Sequence, residues 1–132
     1  MLDEQKRSLA KYRLDRAKET YQTACENLEA SRFLDANNRA YYSIFHSMRA
    51  VLALDGVDFK KHSGVISHFR EKYVKTNVFT SAHSDIIAKA SIIRSKSDYE
   101  DFYTASKSEA QEQINNAKIF YDAVEKYILA YA

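Results

Sequence analysis

Apolar residues recur along most of the chain at steps of three and four, the period of an amphipathic helix. The run Asn37–Leu54 carries the pattern most fully, with Tyr41, Ile44, Phe45, Met48, Val51 and Leu52 on one stripe. Arg39, Tyr42, His46 and Arg49 share the opposite side at the same pitch. Arg39 and His46 are seven residues apart. They therefore point almost the same way, ~10 Å apart along the rod. A core-forming face and a cationic, titratable face share one helix.

The same spacing predicts a first helix over Leu2–Ala30, with Leu14, Ala17, Tyr21, Ala24, Cys25 and Leu28 inward. Lys6, Arg7, Lys11, Arg13 and Lys18 are expected on its solvated side. Residues 33–36 read as a short connection, with Asp35 or Asn37 capping the second helix. Gly56 stands where a left-handed terminator belongs. A loop over Val57–Lys61 leads to a third helix, His62–Val74, with Ser63 as its expected N-cap and Val65, Ile66, Phe69 and Tyr73 inward. A fourth helix runs from Ser81 to about Tyr99 or beyond, with Ile86, Ile87, Ala90 and Ile93 as its apolar arc. Arg94 and His83 lie close to that arc, and Asp98 is one turn past Arg94. A boundary is expected within Thr104–Lys107. In the last helix Ala110, Ile114, Ala117, Tyr121, Val124, Ile128 and Tyr131 alternate at four and three, a heptad seam. The fold expected is all-α: an up-and-down bundle of four or five helices.

Composition agrees with this reading. The 132 residues suit one domain, 1–132, and two glycines with no proline leave long helices uninterrupted. Net charge is only +2. It is unevenly spread: Phe33–Lys75 holds seven Lys or Arg against four acids, or +3, and Thr76 to the end six against eight, or −2. His46, His62 and His68 also fall in the basic segment. One cysteine, Cys25, allows no internal disulfide, which fits a reducing compartment. No run is long and apolar enough to span a membrane, and no signal-peptide pattern opens the chain, so a cytoplasmic location is expected.

Several chemistries are set aside. There is no glycine-rich phosphate loop, no paired zinc histidines with a glutamate, and no cysteine cluster. His62 and His68, six apart, do not share a helical face. No metal or other cofactor is expected. What remains is arginine with histidine: a forked, permanently charged grip for phosphate oxygens and a group that moves protons near neutrality. That pair suits metal-independent RNA cleavage, in which the 2′-hydroxyl attacks the adjacent phosphorus. Lys60, Lys61 and His62 before a helix N-terminus are suited to an anion.

The blocks RAYYSIFHSMRAVLALDG, KKHSGVISHFREKYVKT and IIRSKSDYEDF, in this order and spacing, resemble the HEPN domain in its small stand-alone prokaryotic form. The resemblance spans roughly Tyr12 to Tyr127. It implies a helical bundle that forms a homodimer, and association with RNA metabolism, toxin–antitoxin pairs and defence. It also implies a minimal nucleotidyltransferase as partner. Catalytic members carry Arg, four to six residues, then His on a late helix, and two copies build the cleft. Here Arg94 matches the arginine, but SKSDYED follows and Tyr99 stands where the histidine would fit. Arg39 and His46 meet the spacing only on the second helix.

Arg94 and His46 are thus the candidate catalytic pair, with Arg39, Arg49, Lys60, Lys61, His62, Asp98 and Tyr99 as candidate RNA, phosphate or partner contacts. For each there is a plainer alternative. Arg94 would pair with Asp98 or a first-helix carboxylate, His46 would be a packed or interface histidine, and Arg39 and Arg49 a solvated or dimer-facing stripe. The expected function is an RNA-linked toxin–antitoxin or defence subunit. The alternatives are a non-catalytic module holding a nucleotidyltransferase, with Tyr99 or Tyr103 exposed for contact or modification, or a structural homodimer.

Overall fold

The computed structural model describes residues 3–131. These form five α-helices: α1 (Glu4–Glu29), α2 (Phe33–Asp55), α3 (His62–Phe69), α4 (Ser81–Tyr99) and α5 (Lys107–Tyr131). A π-helical turn, Arg70–Val74, extends α3. α2 is the central rod and packs against α1, α3, α4 and α5. The bundle is closed by α1 and α4 against α5.

The core stripe of α2 is as the spacing predicts, with Tyr41, Ile44, Phe45, Met48, Val51 and Leu52 all buried. Because helices surround it, Ala40, Ser43, Ser47 and Ala50 are buried as well. The two serines tolerate this because each hydroxyl donates to a carbonyl, Ser43 to Ala17 at 2.9 Å and Ser47 to Ser43 at 2.9 Å. The Ser43 bond ties α2 to α1 at the middle of their contact.

α2 starts at Phe33, so the expected connection over 33–36 is helical and neither Asp35 nor Asn37 caps it. A tight reversal makes this possible. Ser31 adopts φ +61°, and Arg32 N–H reaches back to the Asn27 carbonyl at 2.8 Å. Asn37 is instead buried and donates to Glu109 of α5 at 3.4 Å. The other end is as expected. Gly56 has φ +73°, Val57 N–H bonds to Leu52 and Gly56 N–H to Ala53, the paired pattern of a left-handed terminator.

α3 begins at His62 with Lys61 as its N-cap, not Ser63, and no side chain caps it. It does not run as a regular α-helix to Val74. The π-helical turn carries both Phe69 and Tyr73 into the core. There the Tyr73 hydroxyl donates to Asp55 at the end of α2. At the head of α4, Thr80 N–H donates to His83 Nδ1 at 3.1 Å, the imidazole filling the role usually taken by Glu or Gln. α4 stops at Tyr99 and residues 100–106 form the link, in which Ser106 Oγ accepts from Glu109 N–H. The α5 seam is buried from Ala110 to Ile128. It stops short of Tyr131, which is exposed at the bundle's end and lies against Tyr127.

Arg13 departs most from expectation. It is 8% exposed instead of solvated. It lies on the arc of Ala10, Leu14 and Ala17, and burial is compensated by bonds described below.

Phe69 is fully buried and meets the rings of Tyr73, Phe79 and Phe120 within 5.1–5.7 Å. Phe69→Ala should cost about 3–5 kcal/mol in urea unfolding. A loss below about 1 kcal/mol would show that this aromatic cluster does not hold α3 to α5.

Candidate functional site

Two consecutive tyrosines on α2 organise the polar side of the bundle. Their rings stand edge to face at 88°, so one turns inward and the other outward. Tyr41 is buried, yet its hydroxyl reaches the start of α3, where it lies 3.0 Å from His62 Nδ1. Tyr42 is half-buried and accepts a hydrogen bond from Arg94 Nη2 of α4 at 3.1 Å. The Arg94 guanidinium lies 5.2 Å from the Tyr41 ring centre and 5.6 Å from that of Tyr42. Its Nε is 3.0 Å from Asp98 Oδ2 as an ion pair one helical turn away, without hydrogen-bond alignment. The Arg94 side chain keeps 23% of its surface accessible. Its Nη1 makes no hydrogen bond among the described residues.

Burial works against the Arg94 charge, but Tyr42, Tyr41 and Asp98 outweigh it and the net shift is upward. The guanidinium is therefore held charged and oriented, with one nitrogen free. The ion pair with Asp98 anticipated from sequence is present.

His62 rather than His46 is the imidazole brought to Arg94. Its ring stacks on Phe45 at 4.1 Å and sits 5.8 Å from the Tyr41 ring that carries Arg94. Burial first, then Arg94 and Arg49, hold its pKa below the usual value. It is thus neutral at pH 7, and with Nδ1 occupied by Tyr41, Nε2 is the nitrogen left for chemistry. His46 lies against Tyr42, ring centres 6.2 Å apart, and makes no hydrogen bond among the described residues. Burial, then Arg16, Arg49, Arg39 and Arg13, push its pKa down to about 4.

Those arginines are only partly neutralised. Asp58 Oδ2 takes Arg13 at 3.0 Å and Arg49 at 2.9 Å, and Arg13 also donates to the Arg49 carbonyl at 3.1 Å. Burial opposes ionisation of Asp58, but bonds from Arg49 and Phe59 N–H, with Arg13 nearby, hold its carboxyl below the usual range. Arg39 donates twice to Asn38 and lies 5.2 Å from the Tyr42 ring. Neither Arg16 nor Arg39 forms an ion pair among the described residues. Next to Asp58 opens a recess of ≈ 410 Å³ lined by Phe45, Arg49, Asp58, Phe59, Lys60 and His62. Lys61 is exposed at its rim as the residue before α3.

Of the residues singled out in sequence, Arg94, Asp98 and His62 therefore meet around Tyr41 and Tyr42. Arg39, His46 and Arg49 form a second, adjoining cationic patch. Tyr99 is 73% exposed at the end of α4. Tyr103, expected to be exposed, is half-buried with its hydroxyl enclosed and unpaired, because the 100–106 link folds it against the chain. Sequence reasoning missed Asp58 and Arg13. For Arg13 the signal was present in its three- and four-residue spacing from Ala10 and Ala17.

Comparison with known proteins supplies the context. The HEPN domain model matches residues 10–127. A Methanocaldococcus jannaschii protein named "Putative toxin MJ0142" is 34% identical over 108 residues, covering 81% of this chain and 74% of that one. A second protein from that organism, "Putative toxin MJ0605", is 36% identical over 108 residues, covering 76% and 80%. A Thermotoga maritima protein named "UPF0332 protein" is 31% identical over 124 residues and covers 94% of both. Among the described residues no helix is long and apolar enough to cross a membrane.

The unfolded chain protonates His46 near 6.5, the folded chain only near 4. Between these values the unfolded state binds more protons, so stability falls as pH drops through that window. Urea unfolding should show His46→Gln recovering on the order of 1–2 kcal/mol of that loss, allowing for solvent screening. His62 and His83 are shifted in the same direction, so a smaller slope should persist. An unchanged slope would mean that His46 is not held neutral by its surroundings.

Proposed function

Because the chain belongs to the HEPN domain family, we propose that it is the RNA-directed subunit of a toxin–antitoxin or defence module and cleaves RNA without a metal. The toxin names of the two archaeal relatives support the first part of this reading. The second is carried by one observation: Arg94, charged and with a free nitrogen, shares Tyr41 with a neutral His62 whose Nε2 is unengaged.

In this mechanism Arg94 binds a non-bridging phosphate oxygen. With its Nδ1–H donated to the Tyr41 hydroxyl oxygen, His62 takes the proton of the 2′-hydroxyl at Nε2, the 2′-oxygen bonds to phosphorus, and the bond to the 5′-oxygen breaks. That oxygen leaves with a proton from water, giving a 2′,3′-cyclic phosphate and a 5′-hydroxyl. Arg94 contributes most as charge develops on the pentavalent phosphorus. Arg39 and Arg49, with Arg16, hold the flanking backbone by charge. We assign the homodimer to the exposed apolar end of α4, where Ile92 and Tyr99 are seven residues apart and Phe102 follows, 99% exposed.

A second reading is favoured by Tyr99. An exposed phenol at the end of α4, one residue past Asp98, is open to a nucleotidyltransferase partner, whereas Tyr103 is not. The chain would then be the bound or modified component, without cleavage of its own.

Purified wild-type protein incubated with RNA in chelator should yield cyclic-phosphate ends, and Arg94→Ala should lower the rate at least ~100-fold. His62→Gln should do the same, while His46→Gln should not. Equal cleavage by wild type and Arg94→Ala would remove this mechanism. Absence of cleavage together with a stable complex on co-expression with a nucleotidyltransferase, and added mass on Tyr99, would establish the second reading. Sedimentation should give a dimer that Ile92→Glu with Phe102→Glu dissociates; a wild-type monomer would exclude the assigned interface.

A further inference from the structure

The recess beside Asp58 has features that phosphate steering alone does not need. Phe59 sits on the loop before α3 and is 40% exposed, outside the core. Its ring is nonetheless held in one place. It packs on His68 with ring centres 5.4 Å apart, and its backbone N–H is fixed by Asp58 Oδ1 at 2.9 Å. Gly64, inside α3, lies directly beneath it. A Cβ at Gly64 would fall 2.9 Å from Phe59 Cβ and 3.0 Å from Cγ. A glycine within a helix costs stability relative to alanine, and here it gives room for an aromatic ring that remains half in solvent.

Around that ring the polar groups converge. Arg49 spends Nη2 on Asp58, and its Nη1 makes no hydrogen bond among the described residues. Lys60 is exposed on the same wall, and His62 presents its ring against Phe45. The one carboxylate, Asp58, is already occupied by Arg13, Arg49 and the Phe59 N–H. Among the residues lining the recess, Arg49 and Lys60 against Asp58 leave +1. A fixed, half-exposed aromatic face beside unspent cations is the chemistry that recognises a nucleobase and its phosphate together.

We propose that this recess binds one nucleotide, with the base stacked on Phe59 and the phosphate held by Arg49 and Lys60. The inference rests on the RNA reading and adds to it a subsite displaced from Arg94. His62 lies between the two, so a strand held here would pass the His62–Arg94 cluster. The nucleotide's source is either a single RNA strand or a free mononucleotide.

The test uses the full chain and two probes: a short fluorescein-labelled single-stranded oligoribonucleotide with 2′-O-methyl groups, which cannot be cleaved, and AMP. Anisotropy should show Phe59→Ala weakening the oligonucleotide by about tenfold. Phe59→Trp should restore binding and show quenched indole fluorescence on saturation. Thermal unfolding of both variants should match wild type, since Phe59 is outside the core. Saturation by AMP with no added affinity for the oligonucleotide identifies a free nucleotide as the source; tighter oligonucleotide binding identifies a strand. Oligonucleotide binding unaffected by Phe59→Ala overturns the subsite and leaves the RNA reading standing. Binding of neither probe also overturns the subsite, and the Arg94 cleavage assay then judges the RNA reading separately.

Discussion

Everything on the polar side of this bundle follows from the enclosure of α2. Four helices pack on it, so its backbone geometry is fixed along its whole length and few positions reach solvent. Between its two ends, from Ala36 to Leu54, those that do are Asn38, Arg39, Tyr42, His46 and Arg49, the residues between the buried stripes. A helix at the edge of a bundle could place such groups anywhere on a wide solvated arc. A central helix leaves them one narrow strip, and three of the five are cationic or titratable. The density of positive charge is therefore a consequence of packing as much as of composition.

That density has an electrostatic cost, met unevenly. Arg13 is desolvated by the α1–α2 contact and needs a partner, and Asp58 supplies it while also holding Arg49. One half-exposed carboxylate thus restrains two arginines and, through Oδ1, the loop that carries Phe59. His46 has no such partner and avoids the cost by staying neutral. Among the described residues Arg16 and Arg39 form no ion pair, and near the surface water screens them and an incoming polyanion would do so better.

The fold was legible because it depends on short-range periodicity. The inward residues of α1, α2, α4 and α5 were set by spacing, as were the Gly56 terminator and the Ser81 start. Family membership was legible from three blocks in order, and the match over residues 10–127 bears it out. Boundaries without Gly or Pro were less so. α2 begins at Phe33 because Ser31 takes a left-handed conformation that serine rarely favours. The π-helical turn after Phe69 leaves no mark in the sequence. Most residues of the candidate site were named from the sequence, Asp58 and Arg13 excepted, but not their pairing. Arg39–His46 spacing describes one helix, whereas the His62–Tyr41 bond spans 21 residues and depends on how the Gly56 turn returns the chain over α2. Arg94 to Tyr42 spans 52. No periodicity reports such contacts.

An arginine already paired is often taken as spent, and Arg94 is paired with Asp98. The geometry argues otherwise. The carboxylate lies 3.0 Å from Nε as an ion pair from the same helix at i,i+4, and the Tyr42 hydroxyl accepts from Nη2, so one edge of the guanidinium is already held. A free arginine loses rotamer freedom worth about 2 kcal/mol when it grips a ligand; Arg94 has lost most of it in folding. The phenol rings beneath it stabilise the cation without supplying a competing anion. Asp98 still subtracts from its attraction for a dianion at long range. At contact, the remaining nitrogen faces a ligand with its direction set beforehand, which favours a transition state whose charge appears at one position over a ground state whose charge is spread.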